Sequence, residues 1–208
     1  MRVVLIGDSH STVTNDYIKK KLEADGHEVP LTLQNVGWSI HTYVNRNALE
    51  DVPLVNPDVV VVALGGNNAV LDSKKYGDKM AQFLTAIGYP KTKVIWVGPY
   101  YSDPNVTPRV ARRHDWTQAW MVKNLPSDVS HIDMYPYSQT GHRDGVHFSY
   151  DKYYEMMDTA YPMILRAFPG KINPLAIVFG LSIVTLGDIF VVKRRDMNDT
   201  RSRIGKVS

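Results

Sequence analysis

The strongest constraint on the fold is the nearly continuous apolar run at residues 58–64, which reads Asp-Val-Val-Val-Val-Ala-Leu. The run is the clearest strand in the chain, because its β-branched side chains favour extended backbone. It lacks the polar alternation of a strand with one solvated face. Such continuous apolar character is typical of a parallel sheet covered on both faces.

Short β-branched runs alternate with helical patterns along the rest of the chain. Repeated β-α alternation predicts a three-layer α/β/α doubly wound sheet of about five parallel strands with right-handed crossovers. Functional residues of such sheets gather in the loops after the strands. The predicted order is strand 2–6, helix 16–25, strand 29–35, helix 41–49, strand 58–64, helix 75–87, strand 93–97, helix 108–125, strand 130–134 and helix 150–168, interrupted or kinked near Pro162.

The composition excludes several classes of protein. Apolar residues make up 44% and charged residues 22% of the 208 residues, which argues against disorder. The sequence has no cysteine, so it has no disulfides, thiolate metal sites or cysteine nucleophiles. The net charge is +3; six basic and two acidic residues give 193–208 a charge of +4, which leaves −1 for 1–192. We therefore expect no nucleic-acid partner for the main domain.

Residues suited to nucleophilic chemistry follow the first and last predicted strands. Ser9, in the stretch Gly-Asp-Ser-His, lies between a strand and a helix, where its hydroxyl can attack a carbonyl at the sheet edge. Asp144 and His147 are three residues apart, so one turn can aim the carboxylate at one ring nitrogen and leave the other for Ser9. The alternatives are a helix cap at Asp8 or Ser9 and an incidental polar pair.

Two glycine-containing stretches follow other strands and offer donors to an oxyanion. Asn67 lies in Gly-Gly-Asn-Asn directly after the run 58–64, and its side-chain amide can donate a hydrogen bond. Gly37 follows the second strand and can offer its backbone amide. A simple turn is the alternative for both stretches.

In order and placement, these four pieces resemble the signature blocks of the SGNH (GDSL-like) hydrolases over roughly residues 1–168. The resemblance implies the flavodoxin-like SGNH fold and a carboxylic ester hydrolase that needs no metal or organic cofactor. It implies that Ser9 is the nucleophile, His147 the base and Asp144 its orienting carboxylate. It also implies an oxyanion hole formed by the amides of Ser9 and Gly37 and the side chain of Asn67.

The sequence departs from the family pattern at two positions. Asn68 replaces an aspartate that is frequent in the family, so local hydrogen bonding is expected to differ. His10 replaces the usual leucine, a variant similar to SGNH domains that act on O-acetylated sugars. The expected reaction is hydrolysis of an O-acyl ester of a carbohydrate or lipid. The similarity at His10 favours an O-acetyl ester. The alternatives are acyl transfer to a sugar or lipid acceptor, and a virion- or envelope-associated module that keeps the fold without catalysis.

The segment 171–192 is predicted to be a transmembrane helix that follows a catalytic domain at 1–170. Residues 172–192 would span about 31 Å as a helix at ~1.5 Å per residue, close to a bilayer core of roughly 30 Å. Asp188 is their only charge, and a basic tail follows at 193–208. A buried helix or a pair of strands used for oligomerisation is the alternative.

The expected location is therefore a membrane, with the side left open. A virion component that acts on a host envelope and a soluble cytoplasmic enzyme are the alternatives. We expect no N-terminal export leader, because the apolar run at 3–6 is too short.

Other charged side chains receive the simpler interpretation. Arg109, Arg112 and Arg113 share one predicted helix and are interpreted as a solvated face, with substrate recognition as the alternative. His10 is interpreted as a helix-start residue rather than a second base. The remaining histidines show no ligand spacing and are interpreted as surface or structural residues: His27, His41, His114, His131 and His142.

Overall fold

A parallel sheet lies at the centre of the computed structural model, which describes residues 1–170. Its strands are β1 (Arg2–Gly7), β2 (Glu28–Gln34), β3 (Val59–Ala63), β4 (Lys93–Val97) and β5 (Ser130–Ile132). They are ordered β2-β1-β3-β4-β5, and every neighbouring pair is parallel. This is the flavodoxin-like strand order, so the predicted doubly wound α/β sheet is confirmed.

All but the last of the α-helices in the described residues lie between successive strands, and the last follows the final strand. They are α1 (Ser11–Ala24), α2 (Ile40–Asn45), α3 (Asp51–Leu54), α4 (Ser73–Ala86), α5 (Pro108–Asn124) and α6 (Tyr150–Arg166), with a short 3₁₀ helix at Tyr135–Tyr137. α1 begins five residues before the predicted start. The prediction missed this part because the buried residues there, Ser11, Thr14 and Asn15, are polar and give no apolar periodicity. α3 has only four residues and is absent from the prediction.

α6 continues through Pro162 to Arg166, so the predicted interruption is wrong. A proline removes the amide that would bond to the carbonyl four residues earlier, here that of Asp158. Pro162 and Asp158 are both exposed, so this carbonyl lies on the solvent side of the helix. The opposite side is fixed by buried residues that include Met157 and Ile164.

Both faces of the sheet are buried, as the apolar run predicts. In β3, Val59 and Val61 belong to one apolar cluster and Val60 and Val62 to another. The first cluster includes residues of α1 and α6, and the second includes residues of α2, α4 and α5. Full burial of one such side chain contributes about 1.5–3 kcal/mol. Helices on both faces leave the strand ends as the place where polar groups can meet.

The predicted C-terminal features lie outside the described residues. This applies to the membrane segment at 171–192 and to the basic tail at 193–208. The domain limit at residue 170 coincides with the last described residue and stays a prediction. Among the helices of residues 1–170, none has the length and apolar character needed to cross a bilayer.

Replacement of Ile95 by alanine tests the two-sided core. Ile95 lies in β4, is 0% exposed and packs in the cluster that α1 and α6 cover. We expect the Ile95→Ala variant to lose about 2–5 kcal/mol of unfolding free energy, because the cavity forfeits packing contacts. Denaturant titration measures this loss. The control is Val122→Ala on α5, where the side chain is 70% exposed and the change should stay within about 0.5 kcal/mol. Similar small losses in both variants would contradict the assignment.

Candidate active site

The carboxyl ends of β1 and β3 lie side by side at the centre of the sheet. Their parallel register pairs Gly7 with Ala63, so the chain leaves both strands at the same level. Asp8 and Ser9 follow β1 directly, and Asn67 lies four residues after β3. The Asn67 Nδ2 group donates a hydrogen bond of 3.2 Å to Asp8 Oδ2. The register thus brings two of the predicted loops into contact.

Ser9, His147 and Asp144 form a continuous chain of hydrogen bonds. Ser9 Oγ lies 3.0 Å from His147 Nε2, and His147 Nδ1 lies 2.8 Å from Asp144 Oδ2. Because a carboxylate only accepts, Nδ1 carries the proton and Nε2 accepts from the Ser9 hydroxyl. Ser9 is half-buried, whereas the side chains of His147 and Asp144 are 40% and 56% exposed. The chain of bonds therefore lies where a substrate can reach it.

Asp144 is held ionised by its own loop. Its Oδ1 accepts hydrogen bonds from the backbone amides of His147 at 2.7 Å and Val146 at 2.9 Å. Desolvation alone would raise the pKa of Asp144. The bonds from the backbone and ring of His147 and from Val146 outweigh it and hold this pKa well below its usual value. Asp144 can therefore orient and stabilise a protonated His147 ring.

The loop that carries Asp144 and His147 is closed on itself and anchored to the segment before α5. The Arg143 amide donates to the His147 carbonyl at 2.7 Å, and the Asp103 amide donates to the Gly145 carbonyl at 2.8 Å. Gly145 has a φ of 83°, and a Cβ at this position would lie 2.7 Å from Val106 Cβ. Only glycine satisfies both the backbone conformation and the close approach.

The predicted oxyanion donors are only partly brought together. Asn67 contacts Asp8, and its Nδ2 also lies 3.4 Å from the Trp38 carbonyl, so the loop after β2 reaches it. Gly37 lies next to Trp38 with a φ of 76° and is exposed, but no hydrogen bond joins it to Ser9 or Asn67 within residues 1–170. In the same part of the chain, the amides of Ser9 and Gly37 have no acceptor. Of the three predicted donors, only the Asn67 side chain would have to give up an existing acceptor in order to bind an oxyanion.

His10 is part of the site in a way that the sequence does not reveal. It occupies the N-cap position of α1, as predicted, but it is only 3% exposed. Its ring centroid lies 5.2 Å from that of His147, and its Nδ1 lies 2.9 Å from the Tyr153 hydroxyl. Burial, followed by the neighbouring rings of His114 and His147, lowers the pKa of His10 well below its usual value. His10 is therefore a neutral ring packed beside the candidate base.

Asp8 is a buried carboxyl group behind the candidate nucleophile. It is 2% exposed, and burial raises its pKa to about 7, although bonds from the His10 amide and Asn67 and the charge of His147 act in the opposite direction. Its Oδ1 accepts from the amide of His10, the N-cap residue of α1, at 3.1 Å, and no side-chain hydrogen bond caps this helix, so the helix-cap alternative fails for Asp8. The same alternative fails for Ser9, whose hydroxyl is bonded to His147.

α5 supports the loop that carries Asn67. The His114 ring is buried, with its Nδ1 2.9 Å from Ser102 Oγ and 2.6 Å from the Tyr100 carbonyl, which agrees with a structural role. Asn68, the departure from the family pattern, is also buried and lies 3.5 Å from Thr117 Oγ1.

Within residues 1–170, no three or more His, Asp or Glu side chains are grouped to hold a metal ion.

The structure is similar to those of solved esterases. A carbohydrate esterase family 3 protein from Talaromyces cellulolyticus has a TM-score of 0.62 and 15% identity, over 83% of this chain and 100% of its own. A member of the lipolytic protein G-D-S-L family from Veillonella parvula has a TM-score of 0.59 and 16% identity, over 80% and 99%. A carbohydrate acetylesterase from Sinorhizobium meliloti has a TM-score of 0.56 and 15% identity, over 80% and 99%.

The chain has the SGNH hydrolase fold. The resemblance found in the sequence is thus confirmed for the fold. No protein-family model and no curated protein sequence matches the chain. The roles of Ser9, Gly37, Asn67, Asp144 and His147 within this SGNH fold stay predictions, supported by the geometry described above.

The Asp8→Asn variant tests the buried carboxyl group of this SGNH fold. Because the pKa is raised, the native state keeps a proton that the unfolded state has lost between about pH 4 and pH 7. Wild-type stability therefore falls as pH rises through this window, by up to about 1.4 kcal/mol per pH unit. The variant lacks this loss, so its unfolding free energy should rise relative to wild type from pH 5 to pH 7.

Denaturant titrations at several pH values measure this difference. Asp16→Asn, on the exposed side of α1, controls for the loss of a surface carboxylate. Parallel pH courses for wild type and Asp8→Asn would contradict the burial argument.

The Gly66→Ala variant tests the support from α5. A Cβ on Gly66 would lie 2.5 Å from His114 Nε2, and the His114 ring is fixed by its hydrogen bonds. We expect a loss of about 1–3 kcal/mol of unfolding free energy as the loop is displaced. Thermal and denaturant unfolding measure it. The control is Gly77→Ala in α4, where the added Cβ meets Trp120 at an ordinary 3.5 Å and should be neutral or stabilising. Equal effects would exclude the proposed contact.

Proposed function

We propose that this chain is a serine esterase that hydrolyses an O-acyl ester, most simply an O-acetyl ester, of a carbohydrate or lipid. The observation that carries the proposal is the chain of hydrogen bonds from Ser9 Oγ through His147 to Asp144. An incidental Asp–His pair would not place its second ring nitrogen 3.0 Å from a serine 138 residues away. The carbohydrate esterases with a similar structure support the same reaction class.

In the first step, Ser9 Oγ attacks the ester carbonyl carbon while His147 Nε2 takes its proton. The observed contact of 3.0 Å is within the reach that general-base catalysis requires. Asp144 is ionised, so it stabilises the positive charge that develops on the His147 ring. Proton transfer of this kind contributes about 10²–10⁴-fold to the rate.

The tetrahedral oxyanion is stabilised by the amides of Ser9 and Gly37 and by the side chain of Asn67. The two amides are free of acceptors within residues 1–170. Asn67 Nδ2 directs its hydrogens at Asp8 and, at the longer distance of 3.4 Å, at the Trp38 carbonyl. The weaker bond to Trp38 is the one that an oxyanion would replace. Loss of one such donor costs roughly 10²–10³-fold in turnover.

The second half of the reaction uses the same base. His147 returns the proton to the alcohol oxygen, which leaves as Ser9 becomes acylated. A water molecule then gives a proton to His147 and attacks the acyl carbon. The bond between the acyl carbon and Ser9 Oγ breaks, His147 returns its proton to Ser9 Oγ, and the acid leaves. The neutral His10 ring allows His147 to become positive, because it adds no second charge at 5.2 Å.

Removal of the nucleophile tests the proposal. With p-nitrophenyl acetate and the full chain, we expect Ser9→Ala to lower kcat by about 10⁴–10⁶-fold. Asp144→Asn should lower it by about 10⁴-fold, because the imidazole loses its orienting acceptor. The control is Ser127→Ala, which should leave turnover unchanged. Ser127 is exposed and lies in the loop that leads into β5, at the opposite edge of the sheet. Equal rates for Ser9→Ala and wild type would refute the mechanism.

Two further measurements separate the alternatives. A fluorophosphonate probe should label wild type and leave Ser9→Ala unlabelled, whereas an unlabelled wild type would favour a non-catalytic module. Products formed with and without a sugar acceptor distinguish hydrolysis from acyl transfer. Free acid as the main product in both cases supports hydrolysis.

A further inference from the structure

An open groove of about 470 Å³ lies at the start of α5, and three of its five lining residues are arginines. We call it the arginine groove and define it by the residues that line it: Leu71, Pro108, Arg109, Arg112 and Arg113. Arg109, Arg112 and Arg113 share one face of α5 through their spacing of three and four residues. The first two are exposed and Arg113 is half-buried.

These arginines are not engaged by acidic side chains. Within residues 1–170, none of the three forms an ion pair. Nearby acids have other hydrogen-bond partners: Asp115, two residues after Arg113, accepts from the Tyr135 hydroxyl at 3.0 Å, and Asp72, next to Leu71, accepts from the Lys75 amide at 2.8 Å. The groove therefore presents three positive charges to solvent.

The position of the arginines works against the stability of α5. They lie in its first two turns, where the helix dipole is positive, and its first turn holds no acidic residue. Cations are disfavoured at this end of a helix, whereas an anion is favoured by the dipole and by the guanidinium groups together. Guanidinium groups also match the geometry of carboxylates and phosphates by donating two hydrogen bonds at once. The three arginines therefore destabilise α5 when no anion is bound, and a bound anion would offset this effect.

The groove residues are linked through short segments of chain to the loops of the candidate site. Leu71 lies four residues after Asn67, so their Cα atoms are at most about 14 Å apart. Asn67 in turn is hydrogen-bonded to Asp8, the neighbour of Ser9. Thr107, the N-cap of α5, directly precedes the groove residue Pro108 and donates to the Gly145 carbonyl at 3.3 Å, within the loop of Asp144 and His147. Leu71 and Pro108 are thus each connected to a loop that carries proposed catalytic groups.

We propose that the arginine groove binds the anionic group of an acidic saccharide whose acetyl ester is cleaved at Ser9. An acetyl group has no charge, so the anion belongs to the alcohol part of the ester, which extends from Ser9 along α5. A carboxylate and a phosphate share the chemistry that the guanidinium groups recognise. This inference rests on the proposed esterase function and adds the class of substrate.

Matched substrates test the proposal with the full chain. We compare acetylated glucose, acetylated glucuronic acid and acetylated glucose 6-phosphate, which differ in the anionic group alone. Wild type should show a kcat/KM about tenfold or more higher for at least one acidic substrate, as expected for charge-assisted hydrogen bonds. The acidic substrate with the higher kcat/KM shows whether the groove prefers a carboxylate or a phosphate. The preference should decrease as salt is added, because exposed charges are screened.

The double variant Arg112→Gln/Arg113→Gln should remove about tenfold or more of this preference and leave p-nitrophenyl acetate turnover within about twofold. Arg109→Gln, at an exposed position, gives a second measurement if the double variant folds poorly. The control is Arg166→Gln at the end of α6, which removes one exposed positive charge elsewhere and should keep the preference.

Two results would overturn the groove proposal without affecting the esterase function. One is equal kcat/KM for neutral and acidic substrates in wild type, and the other is an unchanged preference in the double variant. Failure of the esterase function has a different signature. Hydrolysis of p-nitrophenyl acetate would then be absent in wild type or retained in Ser9→Ala.

Discussion

The parallel pairing of β1 with β3 is the constraint on which the site depends. The two strands pair residue by residue from Val3–Val59 to Gly7–Ala63, and both are buried under helices on each face. A shift of this register by one residue would turn each side chain of the shifted strand to the opposite apolar cluster and would also separate the loops that follow. The contact between Asp8 and Asn67 exists because the strands end together. The same hydrophobic burial that stabilises the fold thus sets the geometry of the proposed catalytic groups.

The buried polar groups next to the site explain how one cluster can hold several titratable side chains. Asp8, His10 and His114 are each almost fully inaccessible. Burial raises the pKa of Asp8 and lowers the pKa of His10 and of His114, so each group favours its neutral form. Asp144 is more exposed and remains ionised because its loop donates hydrogen bonds to it. Charge is therefore concentrated on the solvent side, where His147 gains and loses a proton in the proposed reaction.

Much of this arrangement could be predicted from the sequence. Strand β3 has a continuous apolar pattern, and the loops after strands contain Ser9, Asn67 and Asp144 with His147, so both the fold and the convergence of these loops follow from local patterns. The contacts of His10 could not be predicted, since Tyr153 is 143 residues away and approaches only through α6. The early start of α1 also escapes prediction, because the buried residues near its N-terminus are polar. Contacts between distant elements depend on packing, which no single segment encodes.

The closed loop at residues 142–148 divides the proposed catalytic groups between two parts of the chain. An isolated β-bridge pairs His142 with Phe148, and bonds within the loop join Asp144 to His147. Ser9 lies on a different loop, the one that follows β1. The contact of Ser9 Oγ with His147 Nε2 is therefore the one bond of the proposed triad that depends on long-range packing. A substitution that displaces the loop as a whole would lengthen this contact and leave the bond between Asp144 and His147 intact.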